Sequence, residues 1–170
     1  MTIKERHFGP VWFLPGDNKG RYPFCHSIYI QGPGILIDPA SNRERLIQLK
    51  KDPGVESVWL SHWHEDHFMH LDLFNELPFM VSREDAPPLS DMECFLDAYG
   101  IAPEARKEWR SLATDIFHFH PRKPHAFLPL GSSLSFESIQ MDLLAAPGHT
   151  PGSVALRFPD HGILFLADYD

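Results

Sequence analysis

Four ligand-type side chains crowd into six residues, His62-Trp63-His64-Glu65-Asp66-His67, directly after the short apolar run Val58-Trp59-Leu60. Neutral imidazole and carboxylate suit divalent zinc, manganese or iron. The apolar run reads as a buried strand, and side chains alternate along extended backbone. An extended strand end therefore puts His62 and His64 on one side. A turn at Glu65-Asp66 then presents Asp66 and His67 from the other, so the sextet can serve two adjacent metals. No amphipathic pattern, cap or turn requires this order of residues.

The chain around it is ordinary for a globular domain. It has 170 residues, 43% of them hydrophobic and 22% charged, enough for one domain that buries roughly 70% of its unfolded surface. A formal net charge of −8 argues against a nucleic-acid footprint, which needs clustered Lys and Arg. No apolar run approaches the ~18 residues of a membrane helix, and the N-terminus meets Pro and Gly too early for a signal-peptide core. Cys25 and Cys94 lack metal-pair spacing and are too few for a disulfide framework, so they read as reduced, part-buried thiols. The expected compartment is the cytoplasm.

Periodicity predicts an α/β layered domain. Ser27–Ile30 and Ile35–Ile37 flank a Gly-Pro-Gly turn and read as a hairpin. Ser41-Asn42-Arg43-Glu44 has the form of a capping box that starts a helix reaching about Lys51, where Pro53-Gly54 stops it. A helix over residues 71–77 and a buried strand Phe79–Val81 follow. Residues 86–118 look like a helical insertion over one end of the sheet. Leu89, Met92, Leu96 and Tyr99 share one face of a first helix, and Ala105, Trp109, Leu112 and Ile116 one face of a second. The insertion is either simple packing or a lid that shapes a pocket. Beyond Phe127 strands return, with one break in alternation near Ser138 that a bulge would explain. Val154 to Phe158 alternates, Asp160-His161-Gly162 makes a turn, and Ile163–Leu166 is an apolar strand with Asp168 just past its end.

The sextet resembles the metal-binding signature of the metallo-β-lactamase superfamily. Two further segments agree in content and order. Ala146-Pro147-Gly148-His149-Thr150-Pro151-Gly152-Ser153 resembles the family's next ligand loop, and Phe165-Leu166-Ala167-Asp168 the strand whose terminal aspartate bridges two metals. Ile28 to Asp38 resembles the opening hairpin, which ends in a structural aspartate. The resemblance implies an αββα sandwich in which His62, His64 and His149 hold a first metal. Asp66 and His67 then start a second site, and Asp168 bridges both. It further implies one or two Zn2+ ions, with Mn2+ or Fe2+ as substitutes, and a small-molecule substrate. A metal-held hydroxide attacks an ester, thioester, amide or phosphoester, with Asp66 as the catalytic residue that orients it or accepts a proton.

Three departures from the family pattern set further expectations. Phe68-Met69-His70 stand where the family has small glycines and put bulk near the second metal. The helical insertion lengthens the spacing from His67 to His149. The family's last metal histidine belongs to a second half, whereas the chain ends two residues after Asp168. The expected domain is thus only the N-terminal half of the sandwich, incomplete at the C-terminus, with the insertion at about 86–118. A second copy of the chain would cover the bare sheet face as a homodimer, and this short form would hold at most one tight metal and hydrolyse little. Two alternatives stand beside the hydrolase: a mononuclear iron oxygenase of the persulfide dioxygenase type, and a non-catalytic metal-binding module. Glu65 is expected to face solvent or support a ligand, Trp63 to pack on the sheet, and the remaining histidines to lie on the surface or in local hydrogen bonds.

Overall fold

The computed structural model describes residues 3–137 and 139–168, which form two β-sheets packed face to face with helices outside the first. The first sheet has seven strands in chain order: β1 (Arg6–Phe8), β2 (Val11–Leu14), β3 (Ser27–Ile30), β4 (Ile35–Ile37), β5 (Ser57–Trp59), β6 (Phe79–Val81) and β7 (Ala126–Phe127). β1 to β4 pair antiparallel, and β4 to β7 parallel. Connection length explains the change. A tight turn joins β3 to β4, whereas β4 reaches β5 through helix α1 (Arg43–Leu49), the kind of crossover a parallel pair needs. The turn requires glycine: Gly34 has φ +64°, and a Cβ there would sit 2.8 Å from Glu56 Cγ.

Alternation decides what each strand buries. Ile28, Ile30, Ile35 and Ile37 face the second sheet, while Tyr29, Leu36 and Val58 face α1 and meet Leu46, Leu49 and Phe74. A register slip of one residue would exchange these two sets. Burying each such side chain contributes about 1.5–3 kcal/mol. The helix begins one residue later than the expected capping box. Asn42 is the cap, its side chain accepting from the Arg45 backbone N–H at 2.9 Å, while Ser41 is buried behind it.

The second sheet consists of β8 (Ser133–Phe136), β9 (Ile139–Ala145), β10 (Val154–Phe158) and β11 (Ile163–Phe165), antiparallel in the order β11-β10-β9-β8. Met141, Leu143, Val154, Leu156 and Phe158 pack against the inward isoleucines of the first sheet and Trp59. This corrects the expectation that the covering sheet is missing. The apolar face for which a second copy was expected is covered by the chain's own strands. The break in alternation is also resolved: Phe136 stands opposite Ile139, so the phase changes across a hairpin connection and not within one bulged strand. Ser138 itself lies outside the described residues.

The insertion is helical, with different boundaries from those expected. α3 (Ala86–Ser90) and α4 (Met92–Ala98) replace the single first helix. Asp91 separates them: it is extended (φ −152°, ψ 133°), and its carboxylate caps α4 by accepting from the Glu93 and Cys94 backbone N–H groups. α5 (Arg106–Asp115) buries Trp109 in part and Ala113 fully, while Leu112 and Ile116 are exposed. Its inner stripe is therefore rotated from the expected one. The helix expected over 71–77 is instead a short α2 (Glu65–Phe68) followed by a 3-10 turn at Leu71–Phe74. No helix among the described residues is long and apolar enough to cross a membrane.

A candidate metal centre at the strand ends

The C-terminal ends of parallel strands are where layered α/β folds gather their chemistry. Asp38 follows β4 in a left-handed conformation (φ +52°), which aspartate tolerates better than most residues. Its buried carboxylate is a hub. Oδ1 accepts from the Ser61 backbone N–H at 2.7 Å, and Oδ2 accepts from the Ser61 hydroxyl at 2.7 Å and pairs with His67 Nδ1 at 3.0 Å. Ser61 Oγ in turn lies 3.1 Å from His62 Nδ1. With both Nδ1 atoms occupied in this way, the Nε2 atoms of His62 and His67 are left facing one another's neighbourhood. Both are buried and have no hydrogen-bond partner among the described residues.

An unmatched buried polar atom costs about 1–3 kcal/mol, so two side by side in one site need an explanation. A metal ion supplies one, because it takes the lone pair that no donor uses. The donor chemistry fits as well. His62, His64 and His149 bring one donor atom each within 4.8 Å of one another, and so do His62, His67 and Asp168. The closest approach is 2.8 Å between His64 Nδ1 and His149 Nε2. Asp168 Oδ1 lies 3.4 Å from His67 Nε2, and its Oδ2 lies 3.8 Å from His149 Nε2, so this carboxylate spans the two groups. Asp66 stands beside them, with Oδ2 3.9 Å from His67 Nε2, and belongs to neither group.

Charge is distributed to suit a cation. Burial, together with the other rings, lowers His62 to about 2 and His64 to about 4, which keeps both imidazoles neutral. Metal ligation by histidine requires that neutral form. Burial also works against a charge on His67, but the Asp38 and Asp168 carboxylates overcome it and raise that ring well above its ordinary value. His67 beside Asp168 holds the latter's carboxyl low, whereas burial raises that of Asp66. The carboxylates thus demand positive charge at the point where the two donor groups meet.

His149 is placed by its loop. Thr150 Oγ1 donates to Asp85 Oδ2 at 2.6 Å, the Gly152 backbone N–H donates to Asp85 Oδ1 at 2.8 Å, and the Val154 N–H reaches the Ser61 carbonyl at 2.9 Å. Only glycine fits at 152, since a Cβ would stand 2.1 Å from Ser82 Oγ. Asp85 and Ser61 carry no sequence signal of their own, because their importance lies in partners that are distant along the chain.

The neighbours of the sextet differ in part from expectation. Glu65 is buried, not solvent-facing, and accepts from Tyr22 Oη at 2.8 Å and from Tyr99 Oη. Trp63 meets Phe95 and Tyr99 of the insertion edge-on. Phe68 and Met69 turn into the core beneath the insertion and put no bulk into the donor cluster, which corrects that expectation. His70 is also buried, against Arg43 and near His118. Cys25 is buried and Cys94 exposed, and both are free thiols.

Comparison with known proteins agrees with this geometry. A probable metallo-hydrolase of Streptococcus pyogenes serotype M6 is 29% identical over 140 residues, covering 79% of this chain and 56% of the relative. An uncharacterised protein of Aquifex aeolicus is 26% identical, covering 81% and 59%. The chain thus spans just over half the length of these curated relatives. Among solved structures, a metallo-beta-lactamase family protein from Thermus thermophilus superposes with a TM-score of 0.64 at 20% identity, over 94% of this chain and 59% of the other. A metallo-beta-lactamase from Elizabethkingia meningoseptica gives 0.59 at 22% identity, over 92% and 56%. The model of the metallo-beta-lactamase superfamily matches residues 20–170, a stretch that holds every donor of both groups. By that match the chain belongs to the metallo-beta-lactamase superfamily.

Proposed function

We propose that this chain is the metal-binding part of a metal-dependent hydrolase acting on an ester, thioester, amide or phosphoester. The observation that carries the reading is that two overlapping donor groups, His62-His64-His149 and His62-His67-Asp168, lie side by side with Asp66 next to them. In this reading His62, His64 and His149 hold one metal, Asp66 and His67 serve the other, and Asp168 lies between them. Zinc is the metal that best suits this imidazole-rich set, with manganese or iron as substitutes. A bound pair of such ions supplies Lewis acidity and a nucleophilic water near neutral pH.

The chain's own residues do the preparation. Asp38 holds His67 by its Nδ1–H, and Ser61 does the same for His62, so both rings present Nε2 without rotamer search. Asp66 keeps a half-buried carboxyl whose proton affinity burial has raised, at the edge of the donor cluster. That suits a group that orients water and takes up its proton. The activity is proposed for the whole protein, since the chain spans just over half the length of the curated relatives it matches. The free thiols fit a reducing compartment, and we include a cytoplasmic location in the same reading.

Metal content of the chain purified without chelator, followed by a panel of chromogenic esters, thioesters and phosphodiesters, tests this. One or two zinc or manganese ions per chain, with turnover that His62→Ala abolishes, is the expected result. No metal under any loading condition would sink the reading. The bulk of Phe68 and Met69, which fits the iron oxygenase alternative loosely, lies in the core. One iron per chain with oxygen consumption would favour that alternative.

A further inference from the structure

The helical insertion approaches the metal centre at Tyr99. Tyr99 follows α4, and its ring stacks on His64 with centroids 5.5 Å apart and planes 21° from parallel. Its hydroxyl donates to Glu65 Oε2, and Tyr22, from the β2–β3 connection, donates to Glu65 Oε1 at 2.8 Å. Glu65 is the residue between His64 and Asp66, so both hydroxyls clamp the backbone that carries these two side chains. Trp63 closes the arrangement, with its ring 4.6 Å from both His64 and Tyr99. Tyr99 itself is fixed from behind by Phe95 at 5.1 Å and Trp109 at 5.7 Å.

His64 needs such support more than its fellow ligands do. Asp38 and Ser61 anchor His67 and His62 through their second ring nitrogens. His64 is met instead by aromatic faces and by His149, which it reaches through Nδ1 at 2.8 Å. We propose that Tyr99 is a positioning residue for His64. Its ring fixes the imidazole plane, and its hydroxyl, with that of Tyr22, locks Glu65 and the turn that presents the ligand. The insertion is then a buttress of the first metal group, and the inference rests on the metal-site reading above.

The test is cobalt(II) and zinc binding to the wild-type chain, Tyr99→Leu, Tyr99→Phe and Glu65→Gln. Affinity is measured by competition with a chromogenic chelator and ligand geometry by the cobalt absorption bands. Tyr99→Leu removes both ring and hydroxyl, and should weaken the first ion about tenfold or more, in the range typical for residues that orient ligands, and shift the cobalt bands. Tyr99→Phe keeps the ring and should retain the wild-type band positions with a smaller loss of affinity, and Glu65→Gln should resemble it. A shift of the cobalt bands in a Tyr99→Leu chain that melts like the wild type without metal is what a merely structural role would not produce. Circular dichroism and metal-free melting confirm that each variant is folded. Should Tyr99→Leu fail to fold, Tyr99→Phe and Glu65→Gln decide the matter by their affinities. Wild-type affinity and bands in every folded variant would overturn the inference while leaving the metal centre intact. A wild-type chain that binds neither ion would remove the metal-site reading and this inference together.

Discussion

The floor and the rim of the metal centre are built differently. On the floor, the side chains of His67 and Asp38 are 3% and 0% exposed, and His62 is equally deep. Each is tied to Ser61 or to another member of the floor by hydrogen bonds. At the rim the side chains of His149 and Asp168 are 22% and 43% exposed. They come from a loop and from beyond a strand end, and the loop is pinned through Asp85. The floor is thus part of the folding core, whereas Asp168 at the rim can be altered with little effect on stability. Ligands held in place beforehand lose less freedom on binding, so in the proposed metal-site reading the floor would set affinity and the rim access.

The largest effect that would break this contrast is at the hub. Asp38→Ala leaves the Ser61 amide and hydroxyl and the His67 Nδ1–H without their acceptor in a dry site. It should cost about 3–5 kcal/mol of unfolding free energy in urea titrations, and a loss below about 1 kcal/mol would show that the floor is no hub. Zinc addition comes next. At a hundredfold excess over its dissociation constant it should stabilise the folded chain by about 2.7 kcal/mol, visible as a rise in melting temperature that chelator reverses. No rise would deny that the floor is prepared for a cation. Gly152→Ala should cost about 1–3 kcal/mol, because its Cβ would overlap Ser82 Oγ and Asp85 Oδ1. A neutral result would mean that the loop carrying His149 is loosely held. The smallest effect sharpens the contrast from the other side. Asp168→Ala should change metal-free stability by no more than about 1 kcal/mol, as expected of a half-exposed ion pair, while shrinking the zinc-dependent rise in melting temperature.

Much of the first sheet was legible because strands announce themselves by alternation. Ser27–Ile30, Ile35–Ile37 and Phe79–Val81 stand as expected. The helical elements were less so. Asp91 lies inside the run whose apolar stripe predicted one helix, yet its carboxylate caps the next helix by accepting from the Glu93 and Cys94 amides, and the expected helix splits there. The inner face of α5 shifted to Trp109 and Ala113 because its place against α4 chooses among neighbouring stripes. At the site, five of the six expected residues fall into the two donor groups and Asp66 stands beside them, while the contacts of Asp85 and Ser61 carried no sequence signal.

What the sequence determined by itself was therefore the donor set and the local geometry that displays it. Four ligand-type residues in six positions after a buried strand need no distant partner to be recognised, because strand period and turn act over a few residues. Only the tertiary structure decided which atoms those donors present and what holds them. His149 meets His64 across 85 residues of chain, Thr150 meets Asp85 across 65, and Tyr99 meets Glu65 across 34. The second sheet's cover over the first is a long-range match of the same kind. No local periodicity encodes such pairings. They follow from how whole layers pack, and burial then makes each one obligatory by leaving its polar atoms no water to turn to.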